Sequence, residues 1–227
     1  DTGIPVSFCV GANGAAFGDD LARLDGPRLA EGCLPIVGMS YREGDATYRQ
    51  EAFASVAPAL ADYGVVFVRF TLDAGQGGTV SAQVGSPEPL HLAEHQLRNG
   101  SEQVLVWVAP NWHWDPAKQT LTTALTPDGD AVLAVFTAAA PSASCGDIDY
   151  RRHRETCIRT WRTLLGNGVT LEVPETVVNN AWRAVLGANF AVITGNTVNY
   201  SAGNNYLCEY ITEGSRTVGA FQLFGFI

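Results

Sequence analysis

Hydrophobic and polar residues alternate with a period of two from Ile4 to about Ala140, which is the spacing of a strand with one buried face. The stretch PIVGMSYREGDATYRQEAFAS predicts a hairpin turned at Glu43-Gly44-Asp45. The stretch QTLTTALTPDGDAVLAVFTA predicts another pair of strands, turned at Pro127-Asp128-Gly129. Further strands are predicted by GVVFVRFTLDAG, GTVSAQVGS and EQVLVWVAP. Many strands without a long helix between them predict an antiparallel β-sandwich over residues 1–141.

The hydrophobic period changes to 3.6 residues after this region. Residues 147–165 place apolar side chains on one stripe, with Asp147 as a helix start signal and Gly166 as a stop signal. We interpret 142–172 as a helical linker. The opposite face of the helix is rich in arginine, which is typical of a solvated or salt-bridged surface and does not by itself indicate a phosphate site.

Two more helices are predicted in residues 173–227. One begins near Pro174, a residue favoured in the first helical turn, continues to Gly195 and is apolar nearly all round. The other covers about 206–224 and carries an apolar stripe. Such helices are typical of the inner layer of a large helical assembly, so we expect more helices than this segment contains.

The composition of the chain disfavours several classes of function. The net charge is -9, with only 16% charged residues, so nucleic acid is not an expected partner. The chain has no run of 18 apolar residues, so we expect no membrane span. The five cysteines are scattered without CxxC spacing, which favours buried thiols over a metal or redox site. No cofactor is predicted, and the chain could be cytoplasmic or secreted.

The sequence HLAEH, residues 91–95, matches a zinc-binding pattern in which two histidines lie four apart on a helix and Glu94 acts as a base. The segment lies between Pro89 and Asn99-Gly100, which leaves room for barely two helical turns. A zinc peptidase therefore stays a minor alternative.

The sequence NWHWDP concentrates Trp112 and Trp114 around His113. Exposed indole faces can stack on sugar rings, so the pair is a candidate carbohydrate platform. Packing at the edge of the sandwich is the alternative interpretation.

The stretch NYSAGNNYLCEYITEGSRTVGAFQLFGFI, residues 199–227, carries the main candidate site. Glu209 and Glu213 are four apart and so share a helix face, and a polar loop precedes that helix. Amides, phenols and carboxylates are the groups that bind several hydroxyls of one sugar. An ion pair of Glu213 with Arg216 is the alternative. The candidate loop residues are Tyr200, Asn204 and Tyr206.

The order of sandwich, linker helix and the stretches VPETVVNNAWRAVLGANFAVITG and NYSAGNNYLCEYITEGSRTVGAFQLFGF resembles the six-hairpin glycosidase superfamily. These glycoside hydrolases combine an N-terminal supersandwich with a C-terminal (α/α)6 barrel. The resemblance implies an oligo- or polysaccharide substrate and places the helix after Tyr206 beside the −1 sugar. Thr212-Glu213 stands where the glucoamylase-like members have Arg-Asp.

The resemblance also implies that the chain is a fragment of a bacterial-type enzyme. A complete barrel has twelve helices, of which residues 173–227 would supply about two. The general acid and base of these enzymes usually come from later helices, so the catalytic residues are expected beyond Ile227 and their identity stays unknown. The alternative function is a non-catalytic carbohydrate-binding or assembly module in which the sandwich binds sugar through Trp112 and Trp114.

Overall fold

The computed structural model describes residues 4–142, 148–194, 197–198 and 211–226. The chain forms two compact units. Unit 1 comprises Asp1–Arg28 and Ile36–Cys157, and unit 2 comprises Leu29–Pro35 and Ile158–Ile227.

These units differ from the ranges 1–141, 142–172 and 173–227 expected from the sequence. The reason is the long helix that follows the sandwich, because its first part belongs to unit 1 and its last part to unit 2.

Unit 1 is built mainly of antiparallel strands. Numbered along the chain, they are β1 (Val6–Val10), β2 (Ala15–Ala16), β3 (Leu24–Ala30), β4 (Leu34–Glu43), β5 (Ala46–Ala54), β6 (Val65–Ala74), β7 (Gly78–Val84), β8 (His91–Ala93), β9 (Gln96–Arg98), β10 (Gln103–Val108), β11 (His113–Asp115), β12 (Thr120–Leu125) and β13 (Ala131–Pro141). A short helix, α1 (Pro58–Ala61), connects β5 to β6.

These strands form two sheets. Within the described residues, the smaller sheet has the order β11-β12-β7-β1-β2 and the larger has the order β3-β4-β5-β6-β13-β10-β9-β8. Buried side chains of both sheets share one hydrophobic core, in which Val80 and Leu121 of the smaller sheet join Phe70 and Leu133 of the larger. The antiparallel β-sandwich predicted from the sequence is confirmed.

One of the two predicted hairpins is confirmed and the other is wrong. Strands β4 and β5 pair from Ile36↔Phe53 to Glu43↔Ala46, with the turn at Gly44-Asp45. Strands β12 and β13 do not pair, because β12 pairs with β7 in the smaller sheet whereas β13 pairs with β6 and β10 in the larger. The Pro127-Asp128-Gly129 segment therefore crosses between sheets.

The linker helix is α2 (Tyr150–Gly166). Its start is fixed by Asp149, whose Oδ1 accepts hydrogen bonds from the backbone N–H groups of Arg151 (2.9 Å) and Arg152 (3.2 Å). The predicted start signal, Asp147, lies outside the described residues. The predicted stop at Gly166 is confirmed, since it is the last helical residue.

Unit 2 contains α3 (Thr176–Ala191) and α4 (Ile211–Leu223), with the strands β14 (Ile193–Thr194) and β15 (Thr197–Val198) between them. Its core brings Leu165, Leu186 and Phe221 together. Ring pairs strengthen the packing of α3 on the C-terminal segment, with Trp182 and Phe224 centroids 4.7 Å apart and Phe190 and Phe221 centroids 4.6 Å apart.

Helix α3 is less buried than its sequence suggests. Val177, Val178 and Val185 are 74%, 44% and 59% exposed, although the sequence of this helix is apolar nearly all round. The helices described here form a small helical layer, and the (α/α)6 barrel stays a prediction. Among the described residues, no helix is long and apolar enough to cross a membrane.

Candidate functional site

The main candidate site from the sequence lies mostly outside the described residues. Tyr200, Asn204, Tyr206 and Glu209 belong to the part of the chain that the structure does not describe. Glu213 is placed on α4, although its side-chain environment is not described. Whether these groups share one surface therefore stays a prediction.

The structure corrects the prediction of an exposed tryptophan pair. Trp112 is 5% exposed and its indole N–H donates to the carbonyl oxygen of Val132 at 2.9 Å. Trp114 is 9% exposed and lies opposite Leu121 in the smaller sheet. Both rings belong to the sandwich core, so neither offers a face to a sugar, and the packing alternative describes them.

The HLAEH segment is a β-hairpin. Strands β8 and β9 pair through Ala93↔Gln96, and the two turn residues, Glu94 and His95, have φ of 50° and 65°. The helix that would place His91 and His95 on one face is therefore absent. Among the described residues, no group of three or more His, Cys, Asp and Glu side chains could hold a metal ion.

Cysteine chemistry is not favoured by the described thiols. Cys33 and Cys157 are buried free thiols, and Cys9 is partly buried. Burial raises the pKa of Cys157 to about 11, which disfavours the reactive thiolate at neutral pH. Cys33 and Cys157 therefore agree with the predicted buried thiols, whereas Cys9 does so only in part.

The most strongly perturbed charged cluster joins α2 to the outer face of the larger sheet. The carboxylate of Glu51 accepts hydrogen bonds from the Tyr150 hydroxyl (2.6 Å) and from Arg154 Nε (2.6 Å) and Nη2 (3.0 Å). Burial acts to raise the pKa of Glu51, but the hydrogen bonds from Arg154 and Tyr150 outweigh it and hold the pKa below its usual value.

This cluster also fixes the phenol in its neutral form. Burial, followed by the hydrogen bond to Glu51, raises the pKa of Tyr150 far above its usual range. The Tyr150 ring packs edge-on against Phe53 with centroids 5.4 Å apart. Because the Glu51 carboxylate is occupied by Tyr150 and Arg154, we assign the cluster to anchoring α2 on the sheet.

A more open site lies at one end of the sandwich in unit 1, and we call it the loop-end cleft. Its volume is about 680 Å³. Three connections line it, namely the β1–β2 turn, the β4–β5 turn and the β6–β7 connection. The lining residues are Gly11, Ala12, Asn13, Glu43, Gly44, Asp45, Ala46, Tyr48, Gly75, Gln76, Gly77, Gly78 and Thr79.

The wall of the loop-end cleft is held in place by an ion pair. Arg23 Nη1 donates to Glu43 Oε2, and Arg23 Nε lies 3.1 Å from Asp20 Oδ2. The Arg23 guanidinium stands over the Tyr41 ring, 5.0 Å from its centroid. The Glu43 side chain is only 17% exposed, so its carboxylate is fixed before any ligand arrives.

Sequence reasoning missed the loop-end cleft because its residues come from three distant turns. The first of these turns, residues 11–14, connects β1 to β2. The available signal was the clustering of glycine in turns, at Gly11, Gly44 and Gly75-Gln76-Gly77-Gly78. That signal indicates turns, but it does not reveal which turns lie together.

No family model matches this chain, and no curated protein matches it.

Proposed function

We propose that this chain is part of a glycoside hydrolase of the six-hairpin type. The observation that supports the proposal is the architecture, in which a two-sheet antiparallel sandwich is followed by the helix α2 and then by α3 and α4. That order is the one expected for a supersandwich, a linker helix and the first helices of an (α/α)6 barrel.

In this proposal the polar loop before α4 and the carboxylates of Glu209 and Glu213 bind the −1 sugar. Carboxylates accept hydrogen bonds from sugar hydroxyls, and losing one such charged contact costs about 1.5 to 3 kcal/mol. In the enzymes that the chain resembles, the general acid and base usually come from later barrel helices, so in this proposal residues 199–213 supply substrate contacts and not the chemical step.

The test uses the full gene product that contains this chain. We expect it to release reducing sugar from at least one member of a panel of α- and β-linked disaccharides. On that substrate, Glu213→Gln and Glu209→Gln should each lower kcat/KM by roughly ten- to a hundredfold, because glutamine keeps the shape and removes the charge.

The matched control is Glu172→Gln. Glu172 is exposed in unit 2, so its substitution should leave kcat/KM unchanged. If Glu213→Gln and Glu209→Gln both keep full activity, the assignment of the sugar site is wrong. If no glycoside is cleaved by the full gene product, the hydrolase proposal itself is wrong.

The alternative of a non-catalytic carbohydrate-binding module loses its original support, because Trp112 and Trp114 are buried. A sugar-binding role for the sandwich must depend on other residues.

A further inference from the structure

We propose that the loop-end cleft of the sandwich binds a neutral saccharide through its hydroxyl groups. The proposal does not depend on hydrolysis, since every lining residue belongs to unit 1 and none is among the residues assigned to the −1 sugar. It adds a separate carbohydrate contact.

The shape of the cleft depends on glycine. At Gly78 a Cβ atom would lie 2.4 Å from Tyr48 Oη, and at Gly11 it would lie 2.7 Å from Glu43 Cγ. Gly75 has φ of 112°, a conformation that other residues rarely adopt. Because these positions carry no side chain, the three connections come together and still leave about 680 Å³, which is within the usual range of ligand clefts.

The rim carries polar groups that have no protein partner. Asn13, Asp45 and Gln76 are exposed, and among the described residues none of their side chains makes a hydrogen bond or ion pair. Glu43 engages Arg23 through Oε2. Two carboxylates accept hydrogen bonds from hydroxyls, whereas the two amides both donate and accept. Neighbouring hydroxyls of a sugar present this mixture of donors and acceptors.

The charge of the rim disfavours two other classes of small ligand, namely anions and divalent cations. Arg23 offsets the charge of Glu43, which leaves Asp45 as the unpaired charge on the rim, so a phosphate or sulfate group would be repelled. A divalent cation would need more anionic ligands than Asp45 and an already paired Glu43 provide. A neutral polyhydroxylated ligand meets neither difficulty.

The expected affinity is low. Tyr48 is 2% exposed, so it contributes its hydroxyl at the floor but offers no ring face for stacking. Tyr48 Oη accepts the Thr79 N–H at 3.4 Å, and its own hydroxyl proton has no acceptor among the described residues. Recognition by hydrogen bonds alone, in competition with water, predicts a Kd on the order of 1 mM.

The experiment uses the full 227-residue chain, labelled with ¹⁵N and titrated separately with maltotriose, cellotriose and mannotriose. We expect at least one of them to shift the amide signals of Gly44, Asp45, Gln76 and Gly77. Asp45→Ala should weaken that binding about tenfold or more. The control, Asp62→Ala, removes a carboxylate that is also exposed but lies before the opposite end of β6, and it should leave the Kd unchanged.

Several results would overturn the proposal. They are the absence of shifts with all three trisaccharides, shifts that lie outside the cleft, or equal binding by Asp45→Ala and the parent. Calcium chloride and sodium sulfate are titrated in parallel. Shifts of the same amides by either salt, without shifts by any saccharide, would identify an ion site in place of a sugar site.

Discussion

The hydroxyl of Tyr150 offers the clearest test of how α2 is held on the larger sheet. Tyr150→Phe keeps the ring and its edge-on contact with Phe53, whose centroid is 5.4 Å away. It removes only the 2.6 Å hydrogen bond to Glu51 Oε1. A hydrogen bond to a charged group contributes about 1.5 to 3 kcal/mol, and Tyr150 is only 6% exposed, so water does not readily replace the lost donor.

We therefore expect Tyr150→Phe to lower the free energy of unfolding by about 1.5 to 3 kcal/mol, measured by urea denaturation at pH 7 with circular dichroism. The matched control is Tyr63→Phe. Tyr63 is half-buried in the same unit, and among the described residues its hydroxyl has no hydrogen-bond partner. Its loss should change the free energy of unfolding by less than about 0.5 kcal/mol.

The pH dependence separates this explanation from a packing effect. The pKa of Glu51 is lower in the folded protein than in the unfolded chain, where it is about 4.3. The stability due to the ionised carboxylate is therefore present above about pH 4.3 and is lost as the pH falls through the folded pKa. The difference between the parent and Tyr150→Phe should shrink over that range. A difference that stays constant down to acid unfolding, or equal effects of Tyr150→Phe and Tyr63→Phe, would refute the reasoning.

Two further predictions concern the sandwich core and the loop-end cleft. Trp112→Phe should lower Tm more than Trp114→Phe does. The reason is that Trp112 Nε1 donates to the carbonyl oxygen of Val132 at 2.9 Å, whereas Trp114 Nε1 has no partner among the described residues. Equal decreases in Tm, measured by differential scanning calorimetry, would contradict this prediction. Gly78→Ala should lower the free energy of unfolding by about 1 to 3 kcal/mol, because the added Cβ would lie 2.4 Å from Tyr48 Oη. Gly100→Ala is its control, since nothing lies within 4 Å there, and similar urea midpoints for the two variants would contradict the predicted clash.

Local patterns were enough to predict the type of fold and several of its strands, namely β4, β5, β6, β7, β10, β12 and β13. The β4–β5 hairpin is predictable because its turn, Gly44-Asp45, lies between two segments that pair directly. The same alternation occurs on both sides of Asp128, yet β12 and β13 belong to different sheets. A period of two fixes which face of a strand is buried, but it does not say which strand is its neighbour.

Site chemistry was harder to predict for a related reason. Tryptophan is large and amphipathic, so the sequence alone does not distinguish a buried indole such as Trp112 from an exposed one. The loop-end cleft joins Asn13, Asp45 and Gln76, which are far apart in the chain and come together only through the sheet topology. Glu51 and Tyr150 are likewise 99 residues apart, and no local pattern indicates that they meet.

The position of β13 has a consequence for the order in which the protein can be completed during synthesis. Val135 pairs with Val66 on one side and with Val106 on the other, so β13 fills the middle of the larger sheet although it is the last strand of the sandwich to leave the ribosome. Until then, β6 and β10 each present an open edge with unpaired N–H and C=O groups, a surface prone to association with other chains. Completion of the sheet thus waits for pairing between distant segments, which is typical of slow folding.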